Sequence, residues 1–331
     1  MRWLPDRFTQ ALIVTVALAS LWPASGRTAQ IVEHATTGIV SLLFFLHGAK
    51  LSRQAIVAGI GHWRLHGWIF TTTFVLFPLL GWALRPVLEP LVSPQMYLGV
   101  LFLCTLPATV QSAIAFTSMA RGNIPAAVCS ASASTLLGIL VTPVLVSLLL
   151  HRNAAAGNAL HDIGRIALQL LLPFALGHLL RPWIGGFLQR RAALVKGVDQ
   201  GSVLFVVYSA FSAAVVSGLW LQTSWRDLAG LLLVNAILLG LVLAATTCVA
   251  RRLGWSKEDE ITLVFCGSKK SMVSGIPMAN VLFPAASVGA VVLPLMLFHQ
   301  MQLMVCAVLA QRYARRPALL AEQEAKAEVA A

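Results

Sequence analysis

Ten stretches of mostly apolar residues, each about twenty residues long or somewhat longer, divide this chain. They run roughly over 10–26, 34–50, 66–87, 95–119, 123–150, 161–181, 198–220, 227–250, 259–283 and 285–311. A helix of about twenty residues, rising 1.5 Å each, crosses the hydrocarbon of a bilayer. Backbone groups in hydrocarbon must be satisfied within the protein, so a helix is the form such a stretch takes. Hydrophobic residues make up 58% of the 331 and charged ones only 11%, against about 25% charged in a typical soluble domain. A water-soluble fold of this size has no interior large enough to hide that surface. Soluble enzymes, disordered chains and disulfide-stapled scaffolds are excluded on the same grounds. The sequence predicts an all-α integral membrane protein, a single transmembrane domain of ten helices.

The first stretch has two readings. Arg2 and Arg7, an apolar run over 11–19 and the small-residue segment Pro23-Ala24-Ser25-Gly26 also fit a cleaved signal peptide. A retained helix gives an even number of spans and two equal halves, and is the reading favoured. Counting Lys and Arg outside the spans places 17 on the side of both termini and 5 on the other. By the positive-inside rule both termini are cytoplasmic and the chain is a multi-pass protein of the cell inner membrane. The net charge of +12, which would suggest nucleic acid in a soluble protein, is then loop charge, and no nucleic-acid partner is expected.

Spans one to five (about 10–150) and six to ten (about 161–311) form two repeats of five. Five is odd, so the second copy inserts upside down, the inverted-repeat plan of secondary transporters. The fourth span of each half is the polar one. Span four holds Pro107-Ala-Thr-Val-Gln-Ser112; span nine holds Gly267-Ser-Lys-Lys-Ser271 and Gly275-Ile-Pro277. Such Gly/Pro-interrupted pairs predict broken helices 4 and 9 that cross near the membrane midplane, where the cargo binds. The segment 312–331 is charged and Ala-rich, a cytoplasmic tail. The five cysteines lie in apolar runs without ligand spacing and read as small core residues.

Four stretches resemble the bile acid:sodium symporter superfamily, in particular its bacterial SBF-like branch. They are Leu43-Phe-Phe-Leu-His-Gly-Ala-Lys-Leu51, the 106–143 block with Arg121-Gly-Asn123 and Ser130-Ala-Ser-Ala-Ser-Thr135, Gln200-Gly-Ser202, and Cys266-Gly-Ser-Lys-Lys-Ser-Met-Val-Ser-Gly-Ile-Pro-Met-Ala279. The resemblance implies panel and core domains, with spans 1, 2, 6 and 7 in the panel and the crossing helices inside the core. It also implies alternating-access transport of organic anions with sodium. Two departures bear on the ion. Where sodium-coupled relatives present a Thr-Ala-Ser-Asn-like run, this chain has Val110-Gln-Ser-Ala113, so Ser112 matches and Ala113 replaces the amide. Where they present Glu, Gly and then Gln-Asn-Ser, this chain has Phe265, Gly267, Lys269, Lys270 and Ser271.

Lys269 lies about ten residues, roughly 15 Å, past the acidic start of span nine. A lysine at the centre of a span costs about 2.5–3.5 kcal/mol on insertion scales, so such a group reads as functional. All twelve acidic residues fall in loops, tails or span ends. Two roles therefore stand open. An ammonium group occupies the sodium position, donating to carbonyls and to hydroxyls such as Ser112 or Thr135. Alternatively the lysines face the cavity and hold an anionic solute, helped by half-helix N-termini. Adjacent residues point about 100° apart on a helix, which allows one role each: Lys270 inward, Lys269 toward the cargo. A lysine held out of water can also release its proton, so the coupling ion is either Na+ or H+.

The candidate substrate- and ion-binding residues are Gln111, Ser112, Ser130, Ser132, Ser134, Thr135, Lys269, Lys270, Ser271 and His299. Gln111 is a helix–helix hydrogen bond or a cargo contact, and the serine ladder is a binding face or small-residue packing. His299, in the polar run His299-Gln300-Met-Gln302, is a satisfied core group or a proton relay. His47 sits at a wet span end. Ser202, Tyr208, Ser209 and Ser212 read as packing groups that can also line the panel side of a cavity. Gly38, Gly48 and Gly201 read as places of close helix approach. Trp63, Trp68, Trp82, Trp183, Trp220 and Trp225 read as interfacial anchors. GxSxG, HExxH, P-loop and GxGxxG motifs are all missing, so no enzyme, cofactor or resident metal is expected. The expected function is secondary active transport of a small organic anion, sodium-independent or proton-coupled. The alternatives are a sodium-coupled symporter on the same scaffold, or a channel-like or regulatory membrane protein.

Overall fold

The computed structural model describes residues 7–50, 60–149 and 159–315. Among them every regular element is helical. The longer helices are α1 (Arg7–Leu21), α2 (Gly26–Lys50), α3 (Trp63–Ala83), α4 (Pro94–Thr105), α5 (Val110–Met119) and α6 (Ile124–Leu149), then α7 (Ala159–Arg190), α8 (Ala192–Val216), α9 (Trp225–Arg252), α10 (Lys257–Gly267), α11 (Met272–Leu282) and α12 (Ala285–Ala314). Seven of them, α2, α3, α6, α7, α8, α9 and α12, are long and apolar enough to cross a bilayer. α4 and α5, bent by 63° at their break, make an eighth. α10 and α11 have 11 residues each, and the apolar part of α1 covers Gln10–Leu21, so each alone is shorter than a span.

Element edges depart from the apolar runs for identifiable reasons. α1 closes at Leu21 because Pro23 disfavours helical backbone in the residue before it. α2 opens at Gly26 rather than near 34, since its first turns carry Arg27, Gln30 and Glu33, polar residues that an apolar-run reading leaves in a loop. α3 contains a π-helical turn at Thr72–Leu76 that nothing in the hydropathy announces. The expected tail falls outside the described residues beyond 315.

α1 and α2 pack on α8, and α2 packs along α7; α12 packs on α4, α8, α9 and α11. The α2–α7 crossing depends on Gly48 and Gly177, which give each helix backbone contact with the other. At Gly38 and Gly201 a Cβ would meet nothing within 4 Å, so of the three glycines read as close-approach sites only Gly48 serves as one. Lys50 at the end of α2 forms an ion pair with the buried Asp199 of α8.

The Arg121-Gly-Asn123 motif is a latch between α5, α6 and α10. Arg121 adopts φ 57°, and Gly122 N–H returns to Thr117 O at 2.8 Å to close the α5 terminus. A Cβ on Gly122 would sit 2.6 Å from the Ile261 side chain, so glycine alone fits. Asn123 Oδ1 accepts from Ala126 N–H and caps α6. Its Nδ2 donates to Asp259 at 2.9 Å, and its N–H reaches Thr262 Oγ1, which ties the α5–α6 turn to the first two turns of α10.

Candidate functional site

The two breaks, 106–109 between α4 and α5 and 268–271 between α10 and α11, lie against each other: Ser271 N–H donates to Pro107 O at 2.9 Å. A helix that stops inside a protein leaves its last carbonyls without partners. At the end of α4 every one of these groups is accounted for. Thr105 O accepts from Thr142 Oγ1 at 2.8 Å, Pro107 O takes Ser271 N–H, and the carbonyls of Cys104 and Leu106 both accept from Lys270 Nζ at 2.8 Å. Ala108 N–H, which a continuous helix would return to Cys104 O, donates instead to Ser134 Oγ at 2.9 Å.

The third partner of Lys270 comes from α3. Nζ donates to Thr73 O at 2.8 Å. The π-helical turn hands Phe77 N–H to Thr72 O. The next nitrogen in that register belongs to Pro78, which has no hydrogen, so the Thr73 carbonyl is released to face the lysine. Lys270 is fully buried, and its Nζ also lies 4.2 Å from the Phe77 ring centroid. An ammonium has three N–H donors and no acceptor, and here three backbone carbonyls take all three. The backbone of Lys270 is held as completely. Its N–H donates to Gln302 Oε1 at 2.9 Å, and its C=O accepts from Gln302 Nε2 at 3.0 Å. Gln302 Nε2 also lies 2.9 Å from His299 Nδ1.

Lys269 is fully buried too, in different company. Its Nζ donates to Ser112 O at 2.9 Å and stands 3.7 Å from the Phe116 centroid and 5.7 Å from that of Phe265. Among the described residues this is one carbonyl and two aromatic faces, against three carbonyls for its neighbour.

The remaining sequence candidates separate. Ser134 supports the first break. Ser271 caps α11, its Oγ accepting from Ser274 N–H at 3.2 Å. Ser130 Oγ meets His66 Nδ1 of α3 at 2.6 Å. Thr135 Oγ1 donates back to Ala131 O within α6. Ser132 is half-buried and Gln111 is exposed. Ala113 is fully buried.

A separate cavity of about 280 Å³ opens between α2, α8 and the α11–α12 turn, with Thr36, Ser209, Ser212, Asn280 and Phe283 on its walls and Glu33 as its acidic group. None of the ten candidates lines it. Ser209 and Ser212, read as packing groups, do, and the buried Ser212 Oγ has no hydrogen-bond partner among the described residues. Tyr208 instead donates to Trp22 O at 2.8 Å.

The model of the SBF-like CPA transporter family matches residues 6–315. The chain belongs to that family. An uncharacterized protein of Pseudomonas aeruginosa is 64% identical over 315 residues, 95% of each chain. YfeH of Escherichia coli (strain K12), named as a candidate symporter, is 56% identical over 327 residues, 98% of each. Sodium/bile acid cotransporter 7 of Danio rerio is 25% identical over 312 residues, 91% of each. This SBF-like chain is thus a multi-pass membrane transporter related to the bile acid:sodium symporters.

Among the groups around the two breaks, sequence reasoning expects carbonyl acceptors for an ammonium without saying which, and misses the π-helical turn and the role of Gln302. Pro78 inside an apolar run was the available signal for the turn. Gln302 stood in the polar run around His299, and only helical phase decides which member of that run faces the break.

Proposed function

We propose that this protein is a secondary active transporter that moves a small organic anion by alternating access without sodium. In this reading the ammonium of Lys270 takes the role that the sequence resemblance assigns to a sodium ion. The observation that carries the reading is the triple carbonyl coordination of Lys270 Nζ by Thr73, Cys104 and Leu106. Inward carbonyls at the end of a half-helix are the ligands a desolvated alkali cation takes in such folds. A fixed ammonium satisfies them permanently and leaves no vacancy for a mobile ion.

In this reading α4/α5 and α10/α11 are spans four and nine of ten, in two inverted halves. α1, α2, α7 and α8 form the panel, and both termini are cytoplasmic. The cavity beside α2 and α8 is the vestibule of one facing state. Lys269, with one carbonyl partner against three, is the lysine whose spare donors meet the cargo when α5 moves. The positive N-terminal ends of α5 and α11 add to its pull on an anion.

The vertebrate relatives have sodium in their names, which favours a sodium-coupled symporter as the second reading. Purified protein is first screened for thermal stabilisation by mono- and dicarboxylates and by cholate, since a ligand that binds the folded state raises its melting temperature. Uptake of the best stabiliser into proteoliposomes is then compared under inward sodium, potassium and proton gradients. Equal initial rates in sodium and potassium are expected, with saturation by cargo. Uptake that requires sodium at fixed pH would establish the second reading, and flux without saturation would indicate a pore.

A further inference from the structure

A groove of about 920 Å³ runs along α9 and α12, and none of its lining residues belongs to either break. Leu243, Val305 and Val308 are among its apolar walls, and Arg251, Arg252 and Arg312 stand together at one end. The three arginines lie in the last turns of α9 and α12, so the groove is greasy along its length and cationic at its tip. From Leu243 to Arg252 it follows α9 for about 14 Å at 1.5 Å per residue. Glu260 draws Arg251 to 3.6 Å. Neither Arg252 nor Arg312 has an ion pair among the described residues.

We propose that this groove binds one anionic phospholipid, its phosphate on Arg252 and Arg312 and an acyl chain between α9 and α12. The apolar walls alone select nothing, because in a bilayer any acyl chain is as apolar as the leucine it touches. Selection comes from the tip. Guanidinium groups bond phosphate oxygens in pairs, and basic pockets between transmembrane helices favour anionic headgroups. The lipid also touches the transport machinery indirectly. Val305 lies three residues beyond Gln302, whose amide holds the second break, so an acyl chain braces the helix that presents Gln302.

The test uses the full-length protein in detergent with equimolar dioleoyl-phosphatidylglycerol and dioleoyl-phosphatidylcholine, with retained lipid counted by native mass spectrometry. The expected result is one phosphatidylglycerol per chain, preferred about tenfold over phosphatidylcholine. The double variant Arg252→Gln/Arg312→Gln loses that preference. Both substituted positions are exposed, and melting and size-exclusion profiles equal to wild type verify the fold. Val308→Trp, at a position 51% exposed, fills the groove without altering charge and also sheds the phosphatidylglycerol. Equal retention of the two lipids by wild type, or a preference that survives the arginine substitutions, would overturn the proposal. So would a tenfold rise in phosphatidylglycerol binding on Glu322→Gln/Glu324→Gln/Glu328→Gln, which would show that the acidic tail occupies these arginines.

Discussion

Gly48 of α2 and Gly177 of α7 make reciprocal room for each other's helix. A Cβ on Gly48 would lie 2.8 Å from the carbonyl carbon of Phe174, and a Cβ on Gly177 the same distance from that of Phe45, with the carbonyl oxygens closer still. The backbones are therefore in direct contact at this crossing, as small residues permit in membrane helices. Elsewhere in a helix alanine is better than glycine by about 1 kcal/mol. Here Gly48→Ala and Gly177→Ala should each cost about 1–3 kcal/mol through overpacking. Gly38→Ala, where a Cβ meets nothing within 4 Å, should be neutral or stabilising by up to about 1 kcal/mol. Thermal unfolding in one detergent compares the three. A shift of the same sign at Gly38 and Gly48 would mean that the crossing relaxes freely.

The serine ladder of α6 makes a sharper distinction. Ser134 Oγ is the acceptor for Ala108 N–H inside the first break, whereas Ser132 is half-buried at the next rung. Ser134→Ala leaves a buried amide without a partner, which costs about 1–3 kcal/mol. Ser132→Ala should stay within about 0.5 kcal/mol of wild type. Denaturant titration of both variants provides the comparison, and equal effects would reduce the ladder to small-residue packing.

Gln302 is fully buried and pairs with both the N–H and the C=O of Lys270, closing the break much as a neighbouring strand closes a sheet edge. Gln302→Leu is nearly the same size but orphans two buried backbone groups, each worth about 1–3 kcal/mol. Gln302→Glu keeps an acceptor for the N–H and loses the donor to the carbonyl, so its loss should fall between wild type and leucine when measured by thermal unfolding. A leucine variant as stable as wild type would show that the break needs no such partner.

How far the site was legible depends on whether side chains or backbone make it. Lys269 and Lys270 stood out because a charge within an apolar run is costly, and Pro107, Gly267 and Gly275 marked the breaks around them. The cage itself carried no such signal. Its ligands are carbonyls of Thr73, Cys104 and Leu106, a group every residue possesses, and their release depends on a register shift in α3 that Pro78 permits but does not require. Gly177 was missed while Gly38 and Gly201 were singled out, because composition cannot say which glycine on a helix faces a neighbour. The polar run 299–302 was visible, but only the rotation of α12 turns Gln302 toward the break. Helices as short as α10 and α11 fall below a length criterion for spans, and the polar Gly267-Ser-Lys-Lys-Ser271 segment separates them in the sequence.

The contrast between the two lysines gives the most demanding prediction. Lys270→Met removes a charge that is costly to bury, yet it also strips the donors from three buried carbonyls, and each unsatisfied group costs about 1–3 kcal/mol. Lys269→Met gives up one carbonyl bond and its cation–π contacts with Phe116 and Phe265, the latter worth about 0.5–2 kcal/mol. The expected order of melting temperatures is wild type, then Lys269→Met, then Lys270→Met. Lys270→Arg should not restore the last, because a planar guanidinium cannot aim three N–H groups from one nitrogen at three carbonyls. Lys270→Gly opens the cage instead, and methylammonium, which carries the same three donors on a free cation, should raise the melting temperature of this variant and not that of wild type. If Lys269→Met proves the more damaging change, or if Lys270→Arg behaves as wild type, then charge at this depth matters and the three-carbonyl geometry does not, and the sodium-independent reading loses its support.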